Sequence, residues 1–289
     1  MTARPPVGAG TIALTLLALV AFASNSLLTR LALGSGQLDA ASFTAIRLAS
    51  GALMLVVLVL AQARSWQPLR GGGVAGPLAL FVYAAPFSFA YLRIGAAVGA
   101  LVLFGVVQLT MFAYGIAKGE RPTLVTWLGL ALAATGLLVL TLPAVARPDP
   151  LGVTLMGVAG VAWAVYTLVG RGTADPLAAN ARSFVWSTPL AMLLVALARG
   201  PVDATGRGIL LALVSGAVAS ALGYAIWYRA LPRLSVTQAA VAQLSVPVIA
   251  AGGAVLTLRE TLSVRLVVAG ILVLAGVALA LSARARRAS

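Results

Sequence analysis

The apolar segments of this chain occur in the same order twice. The repeat is visible in two nearly equal registers. At a displacement of 141 residues the matched pairs are Val20/Val161, Ala21/Ala162, Phe22/Trp163, Arg30/Arg171, Ser42/Ser183 and Phe43/Phe184, and at 140 they are Arg93/Arg233, Val106/Val246, Glu120/Glu260 and Gly136/Gly276. Apolar coincidences are common in a chain that is 61% hydrophobic, so the charged pairs and the glycine pair carry the argument. The pattern predicts two related halves, residues 1–146 and 147–289.

Each half contains five apolar spans, and this odd number constrains the fold. A unit with five membrane crossings ends on the side opposite to where it began, so its copy must lie upside down relative to it. Inverted repeats around a central site recur in secondary transporters. The sequence therefore predicts an all-α membrane protein of ten transmembrane helices, arranged as two inverted five-helix repeats around a central cavity.

The hydropathy of the chain requires a membrane. Only 9% of the 289 residues are charged and the mean hydropathy is +1.05, which is outside the range of soluble domains. Roughly 20 apolar residues cross a bilayer, so ten helices leave only short loops. The predicted spans are residues 9–31, 40–62, 74–92, 96–116, 122–142, 151–170, 180–198, 208–228, 235–257 and 262–282.

Basic residues outnumber acidic ones by 20 to 6, which gives a formal charge of +14. In a soluble protein this excess would suggest a nucleic acid partner, but here the basic side chains lie mainly at span ends. Twelve fall on the side that holds the N-terminus and seven on the other. This bias predicts cytoplasmic termini, and no nucleic acid partner is expected.

Residue types needed for several kinds of chemistry are missing or lie in the wrong places. The chain has no His and no Cys, and its six acidic residues fall in predicted loops or at span ends. That leaves no clear proton carrier within the membrane. No G-x-x-x-x-G-K-[ST] phosphate loop occurs, and a serine nucleophile would have no His or Lys base within a span. We therefore expect transport without ATP or proton coupling, and no enzymatic activity, cofactor or metal.

Three prolines fall inside predicted spans: Pro86 in the third, Pro189 in the seventh and Pro247 in the ninth. A proline inside a helix cannot donate to the carbonyl four residues earlier. Freed carbonyls are tolerated at this depth where they are buried or line a wet cavity, so these are candidates for holding an ammonium group. The alternative is that the prolines only kink the helices, and in that role they would act as hinges.

Aromatic rings with polar tips lie deep in the predicted spans. They are Trp163, Tyr166, Tyr83, Tyr224 and Trp186. Their polar atoms need a partner that lipid does not offer, so the rings either pack between helices or line a cavity that suits an apolar or aromatic substrate. Tyr91, Trp227 and Tyr228 lie near span ends and are assigned to the interfacial aromatic belt.

Uncharged polar side chains also occur deep in the spans. They are Asn25, Gln108, Gln238 and Gln243, joined by Ser24 and Ser245. Amides both donate and accept, so they suit either end of a zwitterion, although bonds between helices would use them equally well. Asn25 and Gln243 are the preferred substrate contacts, the latter because its side chain and its freed carbonyl occupy one turn.

Arg47 is a basic residue inside a predicted span, about eight residues from the outer end of the second span. At 1.5 Å per residue this depth is roughly 12 Å. The side chain either binds a substrate carboxylate or extends outward to the interface.

Two further features complete a recognisable pattern. Phe22 and Trp163 occupy the first span of each half, and Gly119-Glu120-Arg121 and its counterpart Arg259-Glu260-Thr261 open the last span of each half. In these features the chain resembles the EamA-type branch of the drug/metabolite transporter superfamily, and within it the YddG-type bacterial amino-acid exporters. The second copy departs from the pattern by having Arg259 where Gly is usual. The resemblance implies an exporter of the bacterial inner membrane, whose central cavity opens alternately to each side.

Together these features predict an exporter of amino acids, including aromatic and other bulky apolar ones, that works by alternating access without ATP. Within the same family the alternative is export of purine-type metabolites or drugs. Outside it, the alternative is a membrane scaffold that transports nothing. The predicted substrate site consists of Trp163, Tyr166, Tyr83, Tyr224, Trp186, Asn25, Gln243 and Arg47, with Pro86, Pro189 and Pro247 as hinges.

Overall fold

The computed structural model describes residues 8–94, 96–141, 149–198, 204–258 and 264–282, and within these ranges the chain forms ten long helical segments. Eight are continuous: α1 Ala9–Leu33, α2 Ala40–Ala63, α3 Ala75–Tyr91, α4 Ala96–Ala117, α5 Leu124–Thr141, α6 Pro150–Arg171, α7 Pro176–Leu197 and α10 Val264–Ser282. Two are composite. They are α8, made of Gly206–Val214, Ser215–Leu222 and Gly223–Ala230, and α9, made of Val236–Gln243 and Ser245–Leu258.

These helices coincide with the predicted spans to within four residues at either end. Four helical segments are long and apolar enough to cross a membrane on length and composition: Ala9–Leu33, Ala40–Ala63, Pro150–Arg171 and Gly206–Arg233. Several apolar helices of this kind in one chain make it a multi-pass membrane protein.

Acidic and hydroxyl side chains fix where several helices begin. Asp39 accepts a hydrogen bond from the Ser42 N–H at 2.8 Å at the start of α2, and Asp149 accepts one from the Gly152 N–H at 2.9 Å at the start of α6. Asp175 caps α7 in the same way. An N-terminal cap satisfies a backbone donor that the helix cannot. These acids therefore serve helix ends and lie away from the centre of the bundle.

The bundle is built largely from contacts between the two halves of the chain. α2 packs on α7, α5 on α10 and α4 on α9. α3 packs on α6 and α7, while α1 packs on α8 and α9. α6 also contacts α4, and α8 contacts α2. The two halves are thus interleaved, and the centre of the bundle is bounded by helices from both.

Glycines bring the α5 and α10 backbones into direct contact. A Cβ atom added to Gly276 would lie 2.5 Å from the Ala133 nitrogen and from the Gly129 carbonyl oxygen. A Cβ added to Gly136 would lie 2.8 Å from the Ala269 carbonyl oxygen. Between membrane helices, packing of this closeness replaces the hydrophobic driving force that lipid removes.

Substitution of Gly276 by Ala should therefore destabilise the protein. The added methyl group meets backbone atoms, which cannot rotate away, so we expect a loss of about 1–3 kcal/mol in the free energy of unfolding. The measurement is the temperature at which the monodisperse protein is lost from a detergent solution. Gly105→Ala is the matched control, because a Cβ at this α4 glycine meets no atom within 4 Å. Equal stability of the two variants would contradict the packing argument.

Candidate functional site

A cluster of aromatic rings occupies the middle of the bundle and is centred on Trp163. Its ring centroid lies 4.8 Å from that of Tyr224, 4.9 Å from Tyr83, 5.1 Å from Phe22 and 5.8 Å from Tyr166. The five rings come from α1, α3, α6 and α8, and all are buried. The structure therefore brings together four of the five rings that the sequence analysis assigned to the site.

Gln243 holds the Trp163 ring in place. The Trp163 indole N–H donates to Gln243 Oε1 at 2.5 Å, and Gln243 Nε2 donates to the Ala239 carbonyl at 3.1 Å. Gln243 is the last residue before α9 is interrupted at Leu244. Pro247 follows four residues after Gln243. The helix break and the amide thus occur at one place beside the ring cluster.

Arg47 points into the bundle, so outward extension of its side chain is excluded. It is 1% exposed, and it donates from Nε to the Ser220 hydroxyl at 2.9 Å and from Nη2 to the Tyr224 hydroxyl at 2.6 Å. Its Cζ lies 5.4 Å from the Tyr83 ring centroid and 5.8 Å from that of Phe87. Nη1 has no hydrogen-bond partner within the described ranges.

A π-helical segment of α8, Ser215–Leu222, faces Arg47. Such segments insert one extra residue per turn and often occur at functional sites. Its Ser215 donates to Asn25 Oδ1 on α1. At Gly216 a Cβ would overlap the Arg47 carbonyl oxygen. The glycine lets α2 and α8 touch, and the widened helix presents its serine side chains to both α1 and α2.

Two residues assigned to the interfacial belt are in fact core residues. Trp227 is 0% exposed and Tyr228 is 1% exposed. The Tyr228 hydroxyl donates to the Tyr166 carbonyl at 2.8 Å, and the Tyr166 hydroxyl donates to Asn180 Oδ1 at 2.7 Å. The belt assignment was wrong for both because α8 continues to Ala230 inside the bundle, where Tyr228 packs on α6 and Trp227 packs on Phe22 of α1.

The structure does not bring Trp186 to the ring cluster. This side chain is 61% exposed and lies on the outer surface of α7, as does the exposed Pro189 one turn further on. Pro86, by contrast, lies inside α3 between Tyr83, a ring of the cluster, and Phe87, whose ring contacts that of Tyr83. Of the proposed hinges, Pro86 and Pro247 therefore adjoin the cluster.

The space enclosed by the cluster is small. Asn25 and Ser26 supply polar atoms to its wall, and Leu103, Phe104 and Val246 complete it beside the rings. Its free volume is about 20 Å³, which is room for roughly one water molecule. A substrate larger than water fits beside these rings only when the rings move apart.

The face of the bundle on which α1 begins, here called the N-terminal face, is closed by Glu120. Its carboxylate accepts hydrogen bonds from the Val236 N–H at 2.9 Å and from the Thr237 N–H and hydroxyl at 3.1 and 2.7 Å. Arg171 Nη1 lies 4.0 Å away. Glu120 therefore caps α9 and ties the α4–α5 connection to the end of α6.

Burial and hydrogen bonding act on Glu120 in opposite directions. Partial burial raises the pKa of the Glu120 carboxyl, but the hydrogen bonds from Thr237 and Val236 and the charge of Arg171 together bring the pKa below its ordinary value. The group is thus held in its charged form, which is the form that caps a helix.

Sequence reasoning missed several residues of the site. Phe22 was noted only as the repeat partner of Trp163, and Glu120 was noted only as part of a motif. Phe87, Ser220 and Asn180 were not singled out at all. The repeat offered a usable signal for Phe22, because its counterpart was already a site candidate. For Ser220 the sequence offers none, since a serine in an apolar helix is common.

Comparisons with known proteins agree with this architecture. The chain is 50% identical over 279 residues to an uncharacterized protein of Pseudomonas aeruginosa, covering 96% of this chain and 97% of that one. Residues 150–282 match the EamA-like transporter family. The second half of the chain is therefore an EamA-like transporter domain.

A solved crystal structure has the same fold as this EamA-like transporter. It matches with a TM-score of 0.80 and 21% sequence identity, over 93% of this chain and 96% of the other. The EamA-like domain, together with the apolar helices, makes the chain a membrane transporter of small molecules. Its partners are therefore a small-molecule substrate and the lipid bilayer.

The Glu120 contact predicts a pH dependence of stability. Because the native pKa is lowered, the contact stabilises the fold fully above the unfolded value of about 4.3 and is lost as pH falls through the native value. Thermal unfolding of the native protein and of Glu120→Gln, from pH 8 to pH 3, should give midpoints that differ at neutral pH and converge in acid. Arg121→Gln is the neighbouring control. A difference that widened on acidification would contradict the assignment.

Proposed function

We propose that this EamA-like transporter exports amino acids, with the substrate bound between Arg47 and the Trp163 ring cluster. The observation that carries the proposal is a buried guanidinium whose Nη1 has no hydrogen-bond partner within the described ranges, beside a cluster of rings inside the bundle. Substrates with a carboxylate and an apolar or aromatic side chain fit this combination. Aromatic and other bulky apolar amino acids are therefore the preferred class.

The carboxylate follows from the charge of Arg47. An ionised side chain within a membrane is expensive and normally has a partner of opposite charge. The hydrogen-bond partners of Arg47 are the neutral hydroxyls of Ser220 and Tyr224, and within the described ranges no carboxylate lies within 4.0 Å of it. A substrate carboxylate would supply the missing charge, and a guanidinium can bind it through two parallel hydrogen bonds.

The rest of the substrate would meet rings and amides. Phe22, Tyr83 and Trp163 offer apolar faces to a side chain, and the faces of Tyr and Trp also attract an ammonium group. Asn25 lines the space beside the cluster and Gln243 is bonded to the Trp163 indole, so two amides adjoin the rings. Carbonyls freed by Pro86 and Pro247 are further acceptors for the ammonium group.

The ten helices are proposed to span the membrane as two inverted repeats, residues 1–146 and 147–289. The contact pattern supports this arrangement, because exchanging each helix for its counterpart five positions along reproduces it. α1 on α8 becomes α6 on α3, α4 on α6 becomes α9 on α1, and α5 on α10 becomes itself. The glycine contacts follow the same exchange, since Gly136 meets Ala269 while its repeat partner Gly276 meets Gly129. Isologous pairing of this kind is what a two-fold relation produces.

Alternating access would follow from movement of α3 and α9, with their neighbours, against the remaining helices. Pro86 and Pro247 lie where these helices pass the ring cluster, and Pro189 is a third hinge in α7. Opening the N-terminal face requires release of Val236 and Thr237 by Glu120. Because the described residues include no ATP site and no acid at mid-helix, export would run down the concentration gradient of the substrate. The protein would lie in the bacterial inner membrane with both termini in the cytoplasm.

Arg47→Gln should reduce phenylalanine counterflow in proteoliposomes at least tenfold. Loss of a hydrogen bond to a charged group costs about 1.5–3 kcal/mol, which corresponds to a loss of tenfold or more in binding. Arg229→Gln, at an exposed arginine at the end of α8, is the control and should transport normally. Retained transport by Arg47→Gln would remove Arg47 from the site.

Phenylalanine amide provides a second measurement of the same contact. It keeps the ring and the ammonium group but lacks the carboxylate, so it should compete with labelled phenylalanine more than tenfold more weakly than phenylalanine itself. Equal competition would show that the carboxylate is not recognised. Normal transport by both Trp163→Ala and Gln243→Ala would overturn the placement of the site as a whole.

The function itself is tested by uptake of labelled phenylalanine, threonine and adenine into liposomes that contain only this protein, with and without a pH gradient. We expect flux of the amino acids that does not depend on the gradient. Flux of adenine alone would assign the transporter to purine-type metabolites. Accumulation driven by the pH gradient would show that transport is coupled to protons through a group that the sequence analysis dismissed.

A further inference from the structure

A groove lies on the outer surface of the bundle, away from the ring cluster, where the end of α2 meets the beginning of α7. Its volume is about 470 Å³, and its walls are formed by Val56, Trp66, Leu69, Arg70, Arg182, Val185 and Trp186. The two arginines are its only charged residues. The groove contains the tryptophan that the sequence analysis had placed in the substrate site, and it plays no part in the proposed transport path.

Charge and apolar surface are separated along the membrane normal in this groove. Arg182 lies six residues into α7 and Arg70 follows the short 3₁₀ turn Gln67–Leu69 after α2, so both lie near the membrane surface. Trp186 is one turn deeper than Arg182, and Val56 lies seven residues before the end of α2, which is roughly 10 Å along the helix. The groove therefore has a cationic mouth at the N-terminal face and an apolar floor that extends into the membrane.

The arginine at the mouth is held in position by the α2–α3 connection. Arg182 Nη1 donates to the Pro68 carbonyl. Gly72, with φ of +96°, passes so close that a Cβ there would lie 2.7 Å from Arg182 Nε. No carboxylate of the described ranges lies within 4.0 Å of Arg70 or Arg182. Two positive charges, of which that of Arg182 is fixed, therefore face the groove without a counter-charge from this part of the protein.

We propose that this groove binds an anionic phospholipid, with the phosphate between Arg70 and Arg182 and one acyl chain along Val56, Val185 and Trp186. Basic pockets between membrane helices bind anionic headgroups, and exposed tryptophans at this depth are typical of contact with the lipid interface. Trp66 and Trp186 are 59% and 61% exposed beside the mouth and floor. A free phosphate would use the mouth alone and leave the apolar floor uncovered.

The site belongs to one face of the membrane. In the register displaced by 141 residues, the counterpart of Arg182 is Ala41 and the counterpart of Arg70 is Leu211. The corresponding place on α2 thus lacks the charge that Arg182 supplies at the mouth of this groove. The lipid would therefore anchor the α2–α7 pair in one leaflet, and it would contact helices from both halves of the chain.

The test is a titration of the full-length protein in detergent with phosphatidylglycerol and with phosphatidylcholine, with bound lipids counted by native mass spectrometry. We expect one phosphatidylglycerol to bind in preference to phosphatidylcholine. Arg70→Gln and Arg182→Gln should each weaken its binding about fivefold, as one charge near an anionic surface contributes. Arg229→Gln, on the same face but outside the groove, should bind as the native protein does.

The Arg70 variant keeps the test decisive even if Arg182→Gln does not fold, because the Arg70 side chain makes no hydrogen bond within the described ranges. Equal affinity for the two lipids would overturn the proposal, as would unchanged phosphatidylglycerol binding in the Arg70 variant. Displacement of the lipid by an equal concentration of glycerophosphoglycerol would also overturn it. That result would show a headgroup site with no contribution from the acyl chain.

Discussion

A guanidinium group in the middle of an apolar bundle is the constraint on which the rest of this structure depends. The N–H groups of Arg47 need hydrogen-bond acceptors that lipid cannot supply, and they find them in the hydroxyls of Ser220 and Tyr224 on α8. The faces of the Tyr83 and Phe87 rings on α3 lie beside the same guanidinium. Reaching α8 requires backbone contact, which a glycine permits. Three helices are thus fixed around one charge, and the ring cluster packs against them.

Hydropathy was sufficient to locate the helices but not to orient them. Span ends were predicted well where charged and capping residues such as Asp39 and Asp149 mark them. Which side of each helix faces inward was not predictable, since a helix that is apolar all round has no distinct polar stripe. This is why Trp186 was assigned to the site although it lies outside, and why Trp227 was assigned to the interface although it is buried.

The candidate site shows the same division between what sequence reveals and what it does not. The depth of Arg47 and the proximity of Gln243 to a proline could be read from spacing. The partner of Arg47 could not, because Ser220 depends on a π-helical segment that no residue type signals. Contacts between residues more than 170 positions apart, such as Arg47 with Tyr224, arise only from the packing of the two halves. The sequence constrains these contacts through the repeat alone.

The small volume inside the ring cluster has a consequence for the energised membrane. A space for roughly one water molecule cannot hold a continuous file of water, so the ring cluster itself offers protons no path. A cell that maintains an ion gradient can therefore keep many copies of this protein in its membrane without dissipating the gradient. Tight aromatic packing at the centre thus insulates the bilayer whenever the transporter is idle.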